Sequence, residues 1–92
     1  KLYDLTPKNA VILKGDEEKI VPAEEVKKGD IVVIKNGYVV PVDGIVIEGT
    51  VIVDQSVITG ESVPLDINVG EKVVSATTVI NGYAKIKLLS DN

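Results

Sequence analysis

Glu61 is a carboxylate in a place where carboxylates are seldom used for shape alone. It lies in ITGESVP, residues 58–64, directly after Gly60 and between the hydroxyls of Thr59 and Ser62. Tight turns favour Asn, Asp, Gly, Pro and Ser, not Glu. A carboxylate held on such a loop can orient and deprotonate a water that attacks an electrophile. It cannot bind the electrophile by itself, and the chain has neither a GxxxxGK nor a GxGxxG phosphate cradle. The residues alone leave two readings open: a solvated surface glutamate, or a working one whose partner groups belong to another surface.

The remaining acids have structural readings. Asp30, between a glycine and a β-rich run, is placed to accept backbone N–H bonds at a strand entry, and Asp43 in PVDG is an Asx-type turn residue before Gly44. Asp54 ends a β-rich run just before QSVITG and can hold that loop in shape by accepting N–H groups, whereas Asp66 is a solvated charge. Gly60 differs from the other glycines. Those fall where a β chain turns, but at Gly60 a side chain would crowd whatever Thr59 and Glu61 approach.

Composition removes whole classes of chemistry. The 92 residues contain no cysteine and no histidine, which excludes disulfides, thiolate or imidazole catalysis and the usual zinc sites. The net charge is -4 and all ten cations are lysines, so no arginine fork is available for phosphate or base edges. The tyrosines Tyr3, Tyr38 and Tyr83 are isolated from one another. Nucleic acid is therefore not an expected partner. No apolar run approaches the roughly 20 residues that span a bilayer, and the opening KLYDLTPKNA has no signal-peptide character.

What must position the loop is a β framework. Valine (17) and isoleucine (11) supply 28 of the 92 residues, and Met, Trp and Phe are absent. Side chains of this kind are stiff and suit a pleated surface. Residues 9–14 and 19–22 read as a hairpin over the turn GDEE. A helical turn is expected from Ala23 to Lys27, started at Pro22 and ended by Gly29. Residues 31–35 and 36–40 read as a second hairpin through Asn36-Gly37. Residues 45–48 and 51–54 flank Gly49-Thr50, a reversal or a bulge. Residues 62–67 are extended, 68–73 form a loop, and 74–79 and 83–89 are strands on either side of a reversal at Asn81-Gly82. Several strands are apolar on both faces, which a barrel or a two-sheet sandwich would hide. One domain over residues 1–92 is expected, with 1–8 and 90–92 as its adjoining ends.

Taken in order, these segments resemble the actuator domain of P-type cation-transporting ATPases, and most of all the heavy-metal, copper-type branch. The resemblance covers nearly the whole chain. It rests on residues 5–37, with VPAEEVKKGDIVVI, on PVDGIVIEG at 41–49, on VDQSVITGESVP at 53–64 with its TGES signature, and on GEKVVSATTVINGYAKIK at 70–87. It implies a mainly β domain, a distorted jelly-roll or double-stranded β-helix-like fold with short helical turns. It further implies a cytoplasmic position in an integral membrane protein, with 1–8 and 90–92 leading toward transmembrane helices.

The family's catalytic glutamate falls on Glu61, which would position the water that hydrolyses an aspartyl-phosphate carried by another domain. Thr59 and Gly60 would shape the loop for close approach to the phosphoryl group and Ser62 would support it, with Asp54 and Asp43 as further supports. No cofactor is expected in this domain. ATP, Mg²⁺ and the transported ion, copper or a similar metal, would be bound elsewhere in the chain, by phosphorylation and nucleotide-binding domains and transmembrane helices. The isolated domain would be inactive. The chain departs from the family pattern at Gln55, where an acid is usual, at Asn36-Gly37-Tyr38 in place of PGE, and at residues 76–79, ATTV in place of G-T-x-N. The alternative reading is a non-catalytic small β-barrel interaction module.

Overall fold

Residues 31–34, IVVI, are the most hydrophobic unbroken run to enter the core, and three of them, Val32, Val33 and Ile34, are at most 1% exposed. A strand hidden on both faces needs neighbours on both edges, and this one has them. The computed structural model describes residues 9–56, 60 and 63–88. Within it are β1 (Asn9–Lys14), β2 (Glu17–Pro22), β3 (Ile31–Lys35), β4 (Gly44–Asp54), β5 (Pro64–Ile67), β6 (Lys72–Val73) and β7 (Thr78–Leu88). They form one antiparallel sheet in the order β2-β1-β3-β7-β4-β5, with β6 also paired to β4. The mainly β expectation holds. The core is aliphatic and drawn from every part of the sheet: Ile12, Ile34, Val40, Val46, Val51, Val53, Val73, Val79 and Ile86 belong to one buried cluster.

The first hairpin forms as expected, although β2 begins at Glu17 and shortens the turn. The helical element is a single 3-10 turn, Ala23–Glu25, shorter than the sequence suggested. It stops because Val26 turns extended and drops its side chain into the core, 3% exposed. Gly29 has the positive φ expected of it, +98°.

The second expected hairpin does not form. Asn36-Gly37 does make a turn, closed by the Tyr38 N–H on the Lys35 carbonyl at 2.9 Å. Only Gly37 has positive φ, however, and the two-residue hairpin turn typical of Asn-Gly needs it at both central residues. The chain therefore leaves β3 instead of folding back on it. β3 pairs with β1 and β7, while residues 38–40 run beside 76–79: Val79 N–H donates to Tyr38 O (2.8 Å), Val40 N–H to Thr77 O (2.8 Å) and Ala76 N–H to Val40 O (2.9 Å).

β4 and β7, eleven residues each, pair along their whole length and form the spine of the molecule. Gly49 and Gly82 lie inside this pair, where the sequence allowed or suggested reversals. Neither is a reversal. The register shifts between Val46 and Glu48 and again between Ile52 and Val53, which marks bulges in the paired strands. A side chain on Gly49 would collide with the Tyr83 carbonyl oxygen, and one on Gly82 would sit 2.5 Å from that of Thr50. The two glycines let the strands approach and coil where each passes the other.

The expected strand over 74–79 begins only at Thr78. Ser75 and Ala76 form a turn in which Ala76 takes φ +72°, the one non-glycine residue with positive φ among the described residues. This conformation costs an L-residue roughly 1–2 kcal/mol. The resemblance noted in the sequence would place glycine there. Next to it Thr77 is fully buried and its hydroxyl has no hydrogen-bond partner among the described residues.

Candidate functional site

The loop of interest leaves the C-terminal end of β4 and returns as β5, antiparallel to the strand it left. Asp54 pairs with Pro64 and Val53 with Leu65, so the two stems of the loop are held side by side. Thr59, Glu61 and Ser62 lie outside the described residues, as do residues 1–8 and 90–92. The base of the loop and one residue of its signature, Gly60, are described.

Asp54 is half-buried, and its Oδ1 accepts the Ser56 N–H at 2.8 Å. This is an Asx-type link two residues on, the role the sequence reading gave it. The Ser56 carbonyl accepts the Gly60 N–H at 2.8 Å. Gly60 takes φ +81° and is exposed, with no atom of the described residues, its chain neighbours aside, within 4 Å of where a side chain would begin. Against these residues its requirement for glycine is therefore conformational.

Asp43 is not a local turn residue. Its Oδ1 accepts the Ser75 N–H at 2.8 Å, a bond across 32 positions of the chain. This corrects the Asx-turn reading: the carboxylate reaches a distant turn and not its own backbone. Asp43 immediately precedes β4 and Asp54 is its last residue, and both bear on the stretch 75–78, since Thr78 pairs with Asp54. Asp30 accepts the Lys27 N–H at 3.0 Å while its own N–H donates to the Lys27 carbonyl, which locks the entry to β3. Asp66 is exposed on β5. Among the described residues no group of three or more Asp, Glu, His or Cys side chains is arranged to hold a metal ion, and no helix is long and apolar enough to cross a membrane.

Ser56 and Ser75 did not stand out in the sequence. Ser56 carried a usable signal, since D-x-S is the spacing of an Asx link. Ser75 carried none, because its partner is remote.

A bulged antiparallel spine that presents a short tethered loop at one strand end defines a β domain of the actuator type, and comparison places it. The chain matches the family described as the P-type ATPase actuator domain over residues 4–91, and it belongs to that family. It is 46% identical over 90 residues to a copper-exporting P-type ATPase of Bacillus subtilis, and 45% identical over 87 residues to a probable copper-exporting P-type ATPase of Archaeoglobus fulgidus. These stretches cover 98% and 95% of this chain but 11% of each relative. The fold superposes with a TM-score of 0.86, at 29% identity, on the crystal structure of a zinc-transporting PIB-type ATPase in the E2.Pi state, covering 95% of this chain and 14% of that one. The domain is thus an actuator-type domain of the heavy-metal P-type ATPases.

Proposed function

We propose that residues 1–92 form the single actuator domain of a heavy-metal-transporting P-type ATPase of the copper type, and that its TGES loop promotes hydrolysis of an aspartyl-phosphate formed on another domain. In this reading Glu61 positions and deprotonates the attacking water. Thr59 and Gly60 give the loop its close approach, Ser62 supports it, and Asp54 holds its base. Residues 1–8 and 90–92 lead toward transmembrane helices, and the domain works on the cytoplasmic side of the membrane. ATP, Mg²⁺ and the transported metal are bound by parts of the protein outside this chain, so no step here runs through them.

The observation that supports this reading is the linked base of the loop, Asp54 to Ser56 to Gly60, in a chain that matches the actuator family over residues 4–91. A loop that meets a phosphoryl group held on another body needs no phosphate cradle of its own, which gives that absence a physical reason. The names of the relatives favour copper as the cargo. The interaction-module alternative has no observation of its own to set against the family match.

The test is Glu61→Gln in the full-length protein. Phosphorylation from ATP is expected to persist, and decay of the phosphoenzyme to slow by roughly 100-fold or more, the usual worth of a positioned general base. Decay at the wild-type rate would rule out the role given to Glu61.

A further inference from the structure

We infer that Asp43 is a positioning residue for the TGES loop, acting through the 75–78 segment; this rests on the reading of the loop given above. The argument follows the hydrogen bonds. The Asp43 carboxylate holds the Ser75 N–H. Val40 holds the next part of the segment at two points, accepting from Ala76 and donating to Thr77. Thr78 then pairs with Val39 on one side and with Asp54 on the other. Asp54 holds Ser56, and Ser56 holds Gly60. A run of hydrogen bonds and strand pairings therefore leads from the PVDG motif to the base of the loop.

The segment in the middle of that run is strained and incompletely satisfied. Ala76 sits at φ +72° and the Thr77 hydroxyl is buried without a partner among the described residues. Strained backbone persists only where its surroundings over-determine it. Asp43 anchors the outer end of the turn, two residues before Thr77. Without that anchor the turn can relax toward unstrained dihedrals. The backbone of Thr78 would then shift against Asp54, the residue whose side chain sets the base of the loop. A local role for Asp43, capping its own turn, would need none of this reach. The 32-residue span of the bond is what separates the two accounts.

The experiment follows phosphoenzyme formation and decay in the full-length protein, well below its unfolding temperature. Asp43→Ala is expected to leave phosphorylation from ATP intact and slow decay about 3- to 10-fold, the range over which coupled positions usually act. Asp43→Asn keeps an acceptor oxygen at the same place and is expected to decay close to the wild-type rate. Asp54→Ala should slow decay as well, and the double variant should be slower than either single by less than the product of their effects.

A normal decay rate for Asp43→Ala alongside slow decay for Glu61→Gln overturns this inference and leaves the function of the loop standing. Normal decay for Glu61→Gln removes the function itself. Equal slowing by Asp43→Ala and Asp43→Asn, or fully multiplicative effects with Asp54→Ala, also overturn the inference. Where the alanine variant fails to fold, Asp43→Glu keeps the charge, displaces the acceptor, and is expected to be slow; a wild-type rate there counts against the inference.

Discussion

Gly49 and Gly82 in the spine, and Gly60 in the loop, share a positive φ and little else. The first two are sealed in: a side chain on either would meet a carbonyl oxygen of the opposite strand. The third meets no other described residue, its chain neighbours aside, within 4 Å of where a side chain would begin. In the spine, glycine serves the fold twice, through its dihedrals and through the closeness of the strands. In the loop the described residues call for its dihedrals alone. The comparison separates glycines that seal a close strand contact from one that sets a loop's backbone.

Substitution can break this comparison at three strengths. Gly49→Ala and Gly82→Ala should be the most damaging. Each combines the left-handed backbone cost with overlap on backbone that cannot easily move, about 3 kcal/mol or more together. Denaturant unfolding measures it, and a loss under about 1 kcal/mol would show that the strands can separate there. Gly60→Ala should cost only the dihedral part, roughly 1–2 kcal/mol, yet slow phosphoenzyme decay in the full-length protein far more than that cost would suggest. If it proved as destabilising as the spine variants, the two kinds of glycine would not differ. The smallest effect, and opposite in sign, is expected for Ala76→Gly. Relief of the strained dihedral should stabilise the fold by about 1 kcal/mol, seen as a higher midpoint at unchanged slope.

What was legible in the sequence follows the same division. The β body was, because valine and isoleucine dominate it; residues 31–35 read as a strand, and Val32, Val33 and Ile34 prove buried. The first hairpin and Asp54's hold on the loop base were legible too, since both are local. The errors share one cause. Asn36-Gly37 and Asn81-Gly82 carry the chemistry of hairpin turns, but the pairing of β7 with β3 and β4 overrode it. Turn propensity is local, whereas a glycine used for close approach depends on a strand far away in the chain. Asp43 was misread for the same reason, its partner being Ser75. Ala76 is the converse case: its departure from the family's glycine was visible, and the positive φ supplies its meaning.

The ends of the sheet bear on how the domain behaves among its own copies. An open strand edge is a ready template for further strands, and soluble proteins blunt such edges with charge, proline or brevity. β2, at one end, spends three of its six residues on Glu17, Glu18 and Lys19 and finishes on Pro22. β5, at the other, is four residues long and opens on Pro64. Neither edge offers a second copy a run of free N–H and C=O groups flanked by apolar side chains. A chain in which valine and isoleucine are nearly a third of the residues would otherwise be prone to stack into fibres. Its two guarded borders resist that outcome and favour a discrete unit at high local concentration.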